Sequence, residues 1–114
     1  MKKVLFTATV DSHIRAFHIP YLKYFKDNGF EVHVATNSAD PLPYCDVKHT
    51  VSFERKPIKL GNIKSIGQLK KIIDAEQYDI VHTHTPMGAA ITRVAAAKSR
   101  RKFGTRVIYT ALHQ

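Results

Sequence analysis

The chain has 114 residues, 44% of them apolar, and carries 18 Lys and Arg against 9 Asp and Glu, a formal net charge of +9. This length supports one packed core rather than two, and the composition excludes a disordered or fibrous chain. The only cysteine, Cys45, excludes an internal disulfide and suits a reducing compartment. No run reaches the apolar length needed to cross a bilayer. MKKVLFTATVDSH opens like a secretion signal, but its apolar run is short, turns polar and lacks a small-residue cleavage site. A first strand and a cytoplasmic protein are therefore expected. The charge excess favours anionic partners (nucleic acid, acidic lipid headgroups or phosphorylated substrates), or is a solvated surface that aids solubility.

Lys3 to Thr9 (KVLFTAT) reads as a buried parallel strand. Ile14, Phe17, His18, Tyr21, Leu22 and Phe25 recur at helical spacing and are stopped by Asp27-Asn28-Gly29. Pro20 means that the helix proper begins near Ile19 or is kinked there. Phe30 to Thr36 is a second strand, Asn37 to Cys45 a loop with two prolines, and Lys48 to Phe53 a third, edge-like strand. Glu54 to Asn62 reads as a loop, with Lys56-Pro57 and Leu60-Gly61 as breakers. Ile63, Ile66, Leu69, Ile72 and Ile73 form the apolar stripe of the next helix, with Lys64, Lys70, Lys71 and Glu76 on its other face.

Tyr78 to Ala90 (YDIVHTHTPMGAA) joins a short buried strand to a helix opening at Thr85-Pro86. Met87, Ala90, Ile91, Val94 and Ala95 are expected to face inward, and Lys98 to Lys102 (KSRRK) to form the helix's basic C-terminal end, where the dipole is negative. Gly104 stops the helix and Thr105 to Thr110 is the last strand. The order β-α-β-β-α-β-α-β predicts an α/β fold: a three-layer, Rossmann-like single domain over residues 1–114, with a mainly parallel sheet in the order 3-2-1-4-5. The switch point falls between the first strand and the Asp79 strand. It gathers Thr9-Val10-Asp11-Ser12-His13 and His82-Thr83-His84-Thr85 at one mouth.

The loop after the first strand has no glycine, so neither a dinucleotide fingerprint nor a P-loop can form there. A phosphoacceptor site lacks its paired acids, since only Asp11 follows the first strand. No nucleophile elbow surrounds Ser12, Ser38, Ser52 or Ser65. His82 and His84 share a face of an extended strand. They could bind a phosphate or hydroxyl together with the helix N–H groups after Thr85, or one could simply be buried and hydrogen-bonded. A metal would need further ligands from His13, Asp11 or His113, and none is expected. Arg15, beside His13 and His18, is an anion clamp or a solvated helix residue. Tyr21, Tyr24 and Phe25 read as core or helix surface in preference to a base-stacking platform.

MKKVLFTATVDSHIRAFHIPYLKYFKDNGFEVHVAT, then YDIVHTHTPMGAAITRVAAAK and VIYTA, resembles the N-terminal half of a family 4 glycosyltransferase of the GT-B type. The likeness runs to Ala111 and lies nearest bacterial enzymes of capsular and exopolysaccharide assembly. It implies an acceptor-side domain of a retaining transferase, acting on a lipid-linked or polysaccharide acceptor and inactive alone. The nucleotide diphosphate sugar would be held by a separate donor domain; this chain itself would need no cofactor. The resemblance puts Asp11, Ser12, His13 and Arg15 toward donor phosphates and acceptor, and His82, His84 and Thr85 on the acceptor side. In relatives a TAHG-type turn carries a catalytic histidine. Here Thr110-Ala111 is followed by Leu112-His113-Gln114, so His113 stands one place late and the role is not carried onto it. The alternative is a non-catalytic module of a split transferase, docking through Lys98, Arg100, Arg101 and Lys102 on the inner face of the cell membrane, or on a separately encoded donor domain. A homodimer over the uncovered surface is compatible with either; nucleic acid has the charge in its favour but no motif.

Overall fold

The computed structural model describes residues 2–8, 19–52, 60–83 and 86–109. In chain order they form β1 (Lys3–Thr7), α1 (Ile19–Asp27), β2 (Glu31–Thr36), β3 (Val47–Thr50), α2 (Leu60–Glu76), β4 (Ile80–Thr83), α3 (Pro86–Ala95), α4 (Ala97–Phe103) and β5 (Arg106–Tyr109). The five strands make one sheet in the order β3-β2-β1-β4-β5, every pairing parallel. This is the expected doubly wound topology, with its reversal of direction between β1 and β4.

The alternation of the strands sorts two cores. Leu5, Ala35 and Val81 face Leu69 and Ile73 of α2, Ile91 and Ala95 of α3, and Ala96. Val4, Phe6, Val32 and Val34 face Leu22 of α1 on the other side. A sheet covered on both faces buries nearly every central side chain, so β2 is buried along almost its whole length although its sequence alternates. Pro20 sits in the first turn of α1, where its missing N–H would have had no helical partner. Gly29, at φ 84°, ends the same helix, and Phe30 folds back so that its ring lies 5.0 Å from that of Phe25.

Beyond shifts of one or two residues at the ends of β1, β2 and β5, three boundaries differ from expectation. α2 begins at Leu60, three residues before the apolar stripe, since first-turn N–H groups have no helical acceptor and Gly61 and Asn62 cost little there. β3 runs Val47–Thr50 rather than Lys48 to Phe53. Asp46 anchors its start: its N–H donates to the Val32 carbonyl, and its carboxylate accepts from the Val32 N–H and pairs with Lys26. At its far end Ser52 leaves the sheet, donating to Gln68 and accepting from Ser65, both on α2. The single helix expected after Thr85 is two, broken at buried Ala96, which takes φ −91° and ψ −1°. Val94, expected inside, is 59% exposed, whereas Ile91 and Ala95 on the adjoining face are buried.

Candidate functional site

In a parallel sheet the strands' C-terminal ends open onto the crevice at the switch point. Here that place lies between the ends of β1 and β4. Thr7 and Thr83 pair across the two strands, and both side chains are fully buried. The Thr7 hydroxyl lies 3.1 Å from that of Thr92 on α3, each satisfying the other. Among the described residues, the Thr83 hydroxyl has no hydrogen-bond partner. α3 starts three residues later, at Pro86, so its unpaired N–H groups lie close along the chain.

His82, the neighbour of Thr83, turns to the opposite face of β4. Its ring packs 5.3 Å from Phe6 and 6.4 Å from Tyr21. With Pro20, Tyr24 and Phe25 it lines an open, largely apolar groove of 430 Å³. Tyr21 and Tyr24 stand 48% and 61% exposed along it, the helix-surface placement expected of them. Burial pushes the His82 imidazole below the ordinary histidine value, so near neutral pH the ring is an uncharged hydrogen-bonding group.

Of the remaining residues singled out in the sequence, Asp11, Ser12, His13, Arg15, His84, Thr85 and His113 lie outside the described residues. Lys98, Arg100, Arg101 and Lys102 are all exposed on α4, while Ser99 between them is buried against Thr105 at 2.6 Å. α4 hands over directly to the first residues of β5, so this basic tract runs toward the N-terminal edge of the sheet, opposite the Thr83 edge. No described helix is long and apolar enough to cross a membrane. The sequence reading missed the orphaned hydroxyl of Thr83 and the groove beside His82, since both depend on which neighbours the fold supplies.

The Glycosyl transferase 4-like family model matches residues 3–113. A Bacillus subtilis (strain 168) protein named as a glycosyltransferase, EpsD, is 53% identical over 110 residues, which cover 96% of this chain and 29% of that protein. The chain thus spans well under half the length of this curated relative. A solved structure of sucrose-phosphate synthase from Thermosynechococcus elongatus superposes with a TM-score of 0.64 at 14% identity, covering 98% of this chain and 64% of that one. Precorrin-6A reductase CobK superposes with a TM-score of 0.55 at 16% identity over 97% of this chain and 39% of its own. At such identities the likeness is one of fold, and a synthase and a reductase share it. The family model covers nearly every residue: the chain belongs to the glycosyl transferase 4-like family.

Proposed function

We propose that the chain is the acceptor-side domain of a retaining GT-B glycosyltransferase of exopolysaccharide or capsular polysaccharide assembly. Its acceptor is a lipid-linked or polysaccharide sugar, presented at the inner face of the cell membrane. The donor is a nucleotide diphosphate sugar gripped by a second domain that these residues do not include. In the transfer, the anomeric carbon leaves the diphosphate and bonds to an acceptor hydroxyl, whose proton is lost, and the diphosphate departs with the bonding electrons.

The Thr83 hydroxyl carries this reading. A buried polar group without a partner is costly, and native proteins keep such groups chiefly where something else supplies the bond. At the switch point, beside the start of α3, a phosphate or sugar hydroxyl would satisfy both Thr83 and the helix N–H groups. On the opposite face of β4, the groove at His82 has the make-up of a small-molecule site: apolar walls from Pro20 and Phe25, exposed tyrosine rings and one uncharged imidazole. The family resemblance adds Asp11, Ser12, His13, Arg15, His84 and Thr85 as substrate-binding residues.

The test is sugar transfer by the intact protein, with a panel of radiolabelled nucleotide sugars and a lipid-linked acceptor. Transfer by the intact protein, its loss in Thr83→Val at unchanged stability, and none from residues 1–114 alone are expected. Full activity in Thr83→Val would remove that residue from the site, and transfer by residues 1–114 would overturn the missing-domain reading.

A second reading, a module docking on anionic membrane or on a separately encoded donor domain, is favoured by α4. Its four exposed cations are followed by Phe103, 44% exposed, which adds apolar surface to the charge. Sedimentation with phosphatidylglycerol vesicles at low salt, lost at high salt, supports it; no sedimentation at low salt removes the membrane.

A further inference from the structure

At the end of the sheet remote from Thr83, a second polar cluster lies between β2 and the C-terminal end of α2. His33 is 1% exposed, and its Nε2 stands 2.5 Å from a carboxylate oxygen of Glu31. Its Nδ1 lies 2.7 Å from the Tyr78 hydroxyl and 3.0 Å from Nε2 of His49. Glu76, the last residue of α2, accepts a 2.9 Å hydrogen bond from the Lys3 ammonium. One donor atom each from Glu31, His33 and Glu76 falls within 4.8 Å of the others.

The geometry points to a divalent transition-metal site, of the kind that takes zinc, with Glu31, His33 and Glu76 as its protein ligands. One imidazole nitrogen and two carboxylate oxygens are a donor set zinc accepts, with solvent in a fourth position. Metal–ligand bonds of about 2.0–2.2 Å set tetrahedral donor atoms about 3.3 Å apart. The His33–Glu31 contact must therefore open slightly, with Glu76 held at the same spacing. Both carboxylate side chains are about a third exposed, at 31% and 32%, and have room to move, whereas His33 is fixed.

The rest of the cluster suits an ion. Metal-bound histidines are oriented by a bond at the other ring nitrogen, and here Tyr78 and His49 supply one. When Nδ1 carries the proton it donates to the phenol oxygen, leaving the Nε2 lone pair toward the carboxylates. The C-terminal end of α2 adds a negative pole with no basic residue in its last turn. Lys3 is the cation now in contact with Glu76; its side chain is 30% exposed and can swing into solvent. None of these residues belongs to the proposed acceptor site, and the ion would clamp β2 to α2 rather than take part in transfer.

The test is zinc titration of the tag-free protein after EDTA treatment and dialysis, followed by calorimetry and thermal melting. One zinc ion per chain at micromolar free zinc, with a raised melting temperature, is expected. Glu31→Gln with Glu76→Gln should abolish both effects while the protein stays folded in EDTA. Tyr78→Phe should weaken binding by about 10–100-fold. Lys3→Met supplies an independent arm should the double variant not fold: removing a competing cation tightens zinc binding. No stoichiometric zinc, equal binding by a folded double variant, or no gain in Lys3→Met would each overturn the site. The cluster would then be an ion network closed by Lys3.

Discussion

The two ends of the sheet are built on opposite principles. At the N-terminal end, the rings and carboxylates around His33 answer one another: Glu31 at Nε2, Tyr78 and His49 at Nδ1, Lys3 on Glu76. At the C-terminal end the Thr83 hydroxyl is buried with no partner among the described residues, and exposed tyrosines line a groove. A closed polar network ties strands to a helix and fixes their register. An open one leaves bonding capacity for something that arrives later. The contrast assigns folding, with the ion proposed to clamp it, to one end and acceptor recognition to the other.

The layer between the ends sets the scale against which either is judged. Leu5, wholly buried at the centre of β1 between the two ends, should cost about 2–5 kcal/mol when changed to Ala. The shift in urea midpoint measures it, and a loss under 1 kcal/mol would mean that the α2 side is loosely packed. Tyr78→Phe, which opens the closed end, should cost about 1 kcal/mol. The penalty stays small because His33 and His49 can still bond to one another at 3.0 Å. A loss as large as that of Leu5→Ala would show that the network, not the apolar layer, holds this face.

Acid distinguishes the ends through one histidine at each. Burial lowers both His49 and His82 from the ordinary value of 6.5, His49 being lowered further by His33. The unfolded chain therefore binds these protons more readily than the folded one. Stability is fully present above pH 6.5 and falls as the pH drops through the lowered folded values. Equilibrium unfolding across that window should show the slope, and His49→Gln and His82→Gln should each remove part of it. Glu76 and Asp46, held low first by Lys3 and Lys26 respectively, add a further loss only at more acid pH. A flat profile between neutrality and the carboxylate range would contradict both histidine assignments.

How much of this was legible in the sequence follows from which interactions are local. The strand order and the switch point came from element order and from Asn28-Gly29 and Gly104, whose chemistry acts within a turn. The break at Ala96 left no sign, because alanine is a strong helix former and burial alone places the kink. Val94 read as inward from spacing, but no described element covers that side of α3. The His33 cluster was invisible because its members sit 45 residues apart (His33 to Tyr78) or 73 apart (Lys3 to Glu76), and only strand pairing joins them. His82 was picked out by its place at a strand end, a property of topology. The groove it lines depends on Tyr21 and Tyr24 from α1, which the sequence left as core or helix surface.

The smallest expected effect is the most informative. Thr83→Val keeps the shape of the side chain and removes only the hydroxyl. Where a buried hydroxyl is bonded, that change costs about 1 kcal/mol; where it is unbonded, nothing is lost and a desolvated dipole is relieved. Stability should therefore hold or rise by up to about 1 kcal/mol, read from the same urea midpoints. Thr7→Val, at the paired position, breaks the 3.1 Å bond to Thr92 and should lose stability by a comparable amount. Opposite signs from two threonines at the ends of adjacent strands would mark Thr83 as a group kept for a ligand at some cost to the fold, the pattern of a working site. If both lose stability alike, Thr83 is satisfied within the protein and the C-terminal edge is as closed as the other.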